Sequence, residues 1–227
     1  DGWEVAAGTW RVERGQLVGT GHGGGIDAWI YSGNRAWTDY SLSANVTFLE
    51  GEAEFVVRST GKWENEYRIG IWHSPYMGQY HLQLTKYGNG AVEHVLGEGI
   101  PSPVPITNPT HITVTALGDF LGIAVNGMLA FGWTDPDPLP SGRIGLGAVW
   151  SMTCRFDDVL VRDLTVPPGI PMLLAQPAGQ AVPAGMDAVF EAYAVGEAPL
   201  TYDWRFNGSS LVDGTRLSGP RTRTLRI

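Results

Sequence analysis

Tyr40-Ser41-Leu42-Ser43-Ala44-Asn45-Val46-Thr47-Phe48 carries an apolar side chain at every second position, with Ser43, Asn45 and Thr47 pointing the other way. Successive side chains on a pleated strand point to opposite faces, so this period of two predicts a strand with one face in a core. Working outward, the same alternation turns Phe55 and Val57 inward and leaves Glu54, Val56 and Arg58 outward. It turns Tyr67, Ile69 and Ile71 in and Glu66, Arg68 and Trp72 out, then Tyr80, Leu82 and Leu84 in and His81, Gln83 and Thr85 out. Further short strands are expected at Thr9–Val12, Gln16–Gly19, Ile26–Ser32, Val92–Leu96, Ile112–Leu117, Leu121–Val125, Met128–Gly132, Ile144–Ala148 and Cys154–Leu164. Glu13-Arg14-Gly15, Gly88-Asn89-Gly90, Asn126-Gly127 and Ser141-Gly142 supply turn signals between them. With 31 Gly, 15 Pro and 11% aromatic residues against few helix-forming runs, the chain reads as all-β.

The 227 residues carry 15 Lys+Arg against 23 Asp+Glu, a net charge of −8, which argues against a nucleic-acid partner because such affinity rests on cations neutralising phosphates. An apolar share of 43% suits a packed core, and no stretch approaches the ~20 apolar residues of a membrane span. Cys154 is the only cysteine, so no intrachain disulfide exists. A start at Asp1 with no signal-like segment suits a chain whose targeting peptide has been removed, and the expected location is secreted or cell-surface.

The expected organisation is a domain over 1–166, a proline-rich linker over 167–171 and a second domain over 172–227. In the second, Trp204, Asn207-Gly208 and Thr224-Leu225-Arg226-Ile227 resemble bacterial immunoglobulin-like domains, whose third strand carries W-x-x-N-G and whose fifth ends in T-L-x-I. Such a sandwich needs ~100 residues. This stretch is therefore expected to be a partial immunoglobulin-like domain lacking its last strands, open to a neighbouring domain or subunit through edge pairing.

In the first domain, Trp10-Arg11-Val12-Glu13 followed by Gly15-Gln16-Leu17-Val18-Gly19 resembles the opening of bacterial laminin-G-like domains of the concanavalin A-like superfamily. Trp37–Leu42, Val56-Val57-Arg58, Glu66–Ile69, Val125-Asn126-Gly127, Gly142–Leu146 and Phe156–Val159 keep the same order. Family-66-like carbohydrate-binding modules and 3-keto-disaccharide hydrolase-like domains share this pattern. The resemblance implies a two-sheet jelly-roll sandwich with a glycan site on a concave face or its rim.

The outward set Arg58, Glu66, Arg68, Trp72, His81 and Gln83 suits a sugar, since an indole stacks on a ring and charged or amide forks take vicinal hydroxyls. Trp63 and Tyr76, on loops flanking the same strand, are candidates for the rim. The competing reading is a charge ladder across a solvated sheet face. Glu50, Glu52 and Glu54 mimic the spaced carboxylates of jelly-roll glucanases, but Glu50-Gly51-Glu52 reads as the hairpin turn before the strand Ala53–Ser59, so the three would not share a face. No hydrolase, zinc, Walker or dinucleotide motif occurs in its required context. No cofactor is expected, and calcium is open only at Asp157 or Asp158.

The expected function is therefore a non-catalytic module binding a glycan or polysaccharide, without nucleic acid or membrane insertion. Two alternatives stand beside it: a hydrolase of the 3-keto-disaccharide type with Glu66 and His81 as acid and base, and a structural or adhesive subunit of an extracellular assembly.

Overall fold

The computed structural model describes residues 2–22, 27–48, 51–61, 64–74, 79–102, 105–150, 153–165, 170–177, 179–196 and 199–227, the side chains of 73–74, 96–101 and 175 excepted. The chain divides into two compact units, Asp1–Asn126 with Ala130–Leu164, and Gly127–Leu129 with Thr165–Ile227. No helix occurs among the described residues.

The first strands are β1 (Trp3–Ala7), β2 (Thr9–Glu13), β3 (Gln16–Thr20), β4 (Ala28–Ser32), β5 (Tyr40–Phe48), β6 (Glu52–Ser59) and β7 (Glu66–Ser74). They are followed by β8 (Gln79–Gly88), β9 (Ala91–Pro101), β10 (Thr110–Leu117), β11 (Phe120–Val125), β12 (Met128–Thr134), β13 (Arg143–Val149) and β14 (Thr153–Asp163). Two seven-stranded sheets result, ordered β1-β4-β13-β6-β7-β8-β9 and β12-β11-β10-β5-β14-β3-β2. The hairpins turn where sequence chemistry allows a left-handed backbone at both central positions. Arg14-Gly15 has φ of 53° and 85°, Asn89-Gly90 50° and 81°, and Asn126-Gly127 51° and 80°. Such turns match the natural twist of paired strands.

The expected alternation holds in β5, where Tyr40, Leu42, Ala44, Val46 and Phe48 are buried. From the other sheet, Phe55, Val57, Tyr67, Ile69, Ile71, Leu82 and Leu84 meet them, each burial of a large apolar side chain contributing roughly 1.5–3 kcal/mol. Phe55 and Phe156 cross this layer edge to face, with centroids 6.0 Å apart. The face of the first sheet turned away from the layer thus carries the alternate residues of β6, β7 and β8.

Arg58 departs from that face. The pairing of β6 with β13 shifts register between Arg143 and Gly145, and Arg58 takes φ of 52°. A bulge of this kind inserts a residue and breaks strict alternation. The guanidinium is 2% exposed and donates to the backbone oxygens of Thr38 at 3.0 Å, Gly118 at 2.7 Å and Leu139 at 2.8 Å, with Asp39 at 3.4 Å. The backbone N–H of Arg58 donates to the Tyr40 hydroxyl at 2.7 Å. Arg58 clips three loops rather than presenting itself to a ligand.

In the second unit, β15 (Met172–Ala175) pairs with β17 (Tyr193–Val195), β16 (Val189–Glu191) with β20 (Thr224–Arg226), and β18 (Arg205–Phe206) with β19 (Ser209–Ser210). The Trp204 indole donates to the Thr222 oxygen at 2.8 Å. No sheet of more than two strands joins these pairs among the described residues.

Replacing Arg58 by Ala leaves three backbone oxygens short of a charged donor, at a cost of about 3 kcal/mol or more. Thermal unfolding is expected to move down by on the order of 10 °C, and Arg58→Lys, which lacks the planar fork, to recover little of it. An unchanged melting temperature for Arg58→Ala would remove this role.

Candidate functional site: an acidic pocket on the first sheet

Cross-strand register arranges the outer face of the first sheet in rows. Val149 of β13 faces Glu52, which faces Trp72, which faces His81. The next row runs from Trp29 of β4 through Gly147, Glu54 and Gly70 to Gln83. The third runs from Tyr31 through Gly145, Val56 and Arg68 to Thr85, and beyond it Glu66 faces Tyr87.

Three glycines make room on this face. A Cβ on Gly147 would lie 2.6 Å from the Trp29 ring and one on Gly145 2.9 Å from the Tyr31 ring, so both rings lie across the glycine strand. A Cβ on Gly70 would meet Glu52 Oε1. Glycine inside a strand commonly marks such a close approach. Trp29, Tyr31, Val56 and Val149 pack together as a small apolar cluster.

Arg68 is 3% exposed and lies between two rings, 4.0 Å from the centroid of Trp29 and 4.7 Å from that of Tyr87. Its Nε donates to Glu66 Oε1 at 2.6 Å. Glu66 is sealed from solvent, and its Oε2 accepts from the hydroxyls of Tyr31 at 3.1 Å and Ser59 at 2.9 Å. Over this base opens a cavity of about 320 Å³, with Asp27, Glu52, Glu54, Arg68, Gly70, Gln83 and Thr85 among its lining and Trp29, Tyr87, Val149 and Trp150 as its apolar walls.

Among the described residues, Asp27, Glu52 and Glu54 of the lining have no ion pair. Burial pushes Glu52 up to about 7, Asp27 adding to it, and pushes Glu54 up to about 8 against the pull of Arg68, with Glu52, Glu66 and Asp27 adding to the rise. Glu54 Oε2 is closed off from solvent without a hydrogen-bond partner. Trp150 is 63% exposed at φ of 65°, and its backbone N–H donates to Asp27 Oδ1 at 2.9 Å. A bulky residue held in the left-handed region is strained, and such strain gathers at ligand sites.

Of the residues singled out in the sequence, Arg68 and Gln83 line the cavity, and Glu66 stands behind Arg68. Trp72 and His81 stack on each other at 5.5 Å in the row that contains Glu52. Arg58 is elsewhere, and Trp63 and Tyr76 lie outside the described residues. Glu52 is a correction: β6 already begins there, so it lies on the strand and shares the outer face with Glu54 instead of sitting in a turn. Trp29, Tyr87 and Trp150 went unnoticed, although Gly145-Leu146-Gly147 and Gly70 are a sequence sign that something lies over those strands. Asp157 and Asp158 sit at a bulge of β14, where Gln16 and Asn45 donate to them. Among the described residues no group of three or more His, Cys, Asp or Glu is placed to hold a metal.

No family model matches the sequence, and no curated protein matches it. Solved structures do. The carbohydrate binding module CBM66 from Bacillus subtilis superposes with a TM-score of 0.55 at 22% identity, over 71% of this chain and 96% of that one. The legume lectin-like domain from Entamoeba histolytica gives 0.52 at 12%, over 72% and 90%, and the Crh5 transglycosylase 0.54 at 13%, over 74% and 80%. The fold is a lectin-like jelly roll. At these identities the likeness speaks for the fold, and the site has to be argued from its own residues.

The raised carboxyls make stability depend on pH. Glu52 and Glu54 hold protons more tightly folded than unfolded, so the folded state binds more protons and stability falls as pH rises from about 5 to about 8. Glu54→Gln removes the larger part of that burden. Its melting temperature is expected to fall less steeply than wild type over this range and to equal or exceed it at about pH 8. Parallel curves for the two proteins would refute the assignment.

Proposed function

We propose that this chain is a carbohydrate-recognition module whose site is the pocket over Arg68. The observation that carries the reading is Trp150, an exposed indole held at a strained backbone angle on the rim of a cavity lined with hydrogen-bonding side chains. Glycan sites combine an aromatic platform, which covers the apolar face of a sugar ring, with polar groups that take its hydroxyls. Trp150 supplies the platform, and Glu52, Glu54, Gln83 and Arg68 the polar groups. The volume lies at the small end of the ~300–1,000 Å³ range of ligand pockets, which favours one sugar unit held in depth over a long chain laid along a groove. A place outside the cell accords with this role.

The enzyme reading that uses Glu66 and His81 finds little support. Both Glu66 oxygens are occupied and the side chain is sealed, so it has no path to a leaving group.

Calorimetric titration against a glycan array tests the proposal. Trp150→Ala is expected to weaken the best ligand at least about tenfold, roughly 1.4 kcal/mol, with the melting temperature unchanged. Retained affinity in Trp150→Ala would rule this pocket out. Release of reducing ends, abolished by Glu54→Gln, would replace binding with hydrolysis.

A further inference from the structure

The charges of the pocket do not balance. Among the described residues Arg68 is the only cation in its lining, and Glu66 already matches it through a direct ion pair. Arg143 is occupied with Glu4 at 2.6 Å. Lys86 belongs to the inward set of β8, where it meets Asp135 at 3.1 Å and the Asp137 oxygen. Asp27, Glu52 and Glu54 are therefore left facing one cavity without a counter-charge. A carboxylate accepts hydrogen bonds and donates none, so this lining asks for a donor with positive charge.

The remaining lining narrows the class. Trp29, Tyr87 and Trp150 present aromatic walls, and ring faces attract an ammonium most strongly where water is excluded. A divalent metal would need several oxygens converging on one point, and no such group is found among the described residues. Glu54 lines the cavity, and its Oε2, closed off from solvent, has no hydrogen-bond partner, so the carboxyl is left with an unmet acceptor.

We propose that the pocket takes an amino sugar with a free ammonium group, seated against the carboxyls of Glu52 and Glu54 with its ring on Trp150. This rests on the reading of the pocket as a glycan site and names the class of glycan. The ammonium supplies three N–H donors to groups that only accept, and its charge replaces the proton that desolvation otherwise forces onto the carboxyls.

Chitosan oligosaccharides with free amines and their fully N-acetylated counterparts share one backbone and differ in that charge. The full chain is expected to bind the free-amine form at least about tenfold more tightly, and Glu54→Gln, checked for folding by circular dichroism, to abolish the discrimination. A measurement on the wild-type protein alone is independent of any variant. At about pH 6, with the amine charged, binding is expected to release protons from Glu52 and Glu54, seen as a dependence of the calorimetric heat on buffer ionisation. Equal or tighter binding of the N-acetylated form, or binding of a neutral glycan from the array and neither chitosan form, overturns the amino-sugar inference and leaves the glycan site standing. An array without a single bound glycan, charged or neutral, removes both. Free-amine binding without proton release overturns the seating at Glu52 and Glu54.

Discussion

A guanidinium taken out of water needs a counter-charge and hydrogen-bond acceptors, and Arg68 imposes that need on the whole outer face of the first sheet. Glu66, two residues away on the same strand, meets the charge. Glu66 must then be satisfied in turn, and Tyr31 from β4 and Ser59 from β6 do so. The rings of Trp29 and Tyr87 close over the two faces of the guanidinium. Trp29 lies flat only because β13 offers Gly147 beneath it. One buried cation thus fixes side chains on four strands, β4, β6, β7 and β8, with a glycine of β13 beneath them, and the assembled group is neutral. That neutrality leaves Glu52 and Glu54 with no share of it.

Two arginines placed on the same face by alternation end in different surroundings. Arg68 keeps its register and forms the base of the cavity. Arg58 sits past a bulge and reaches loops on the other side, where backbone oxygens take the place of carboxylates. Side-chain type and strand period are equal in the two cases. What separates them is a single shift in pairing with β13.

That shift also marks how far the sequence could be read. The period of two in β5, β7 and β8 is visible in the residues themselves, and with it the sandwich and the inner layer. The outward placement of Arg68, Trp72, His81 and Gln83 follows from it. Burial of Arg68 does not, because it depends on the rings of Trp29 and Tyr87 arriving from β4 and β8 across the sheet. Glu52 was read as a turn residue since Gly51 precedes it, while the sheet gains more by pairing it with Trp72. Trp150 lies in a turn, where no periodicity speaks, and only its left-handed backbone sets it apart.

The glycines beneath the pocket have an evolutionary consequence. A cavity made by omission, with Gly70 under Glu52 and Gly147 under Trp29, depends on the smallest side chain in the code. Glycine and alanine codons differ by one nucleotide. Drift at either position would fill the depression with a methyl group while the inner layer, on the opposite side of the sheet, kept its contacts. Loss of the cavity and loss of the fold are therefore genetically separable, and a lineage could retain this jelly roll as an inert spacer long after its pocket had closed.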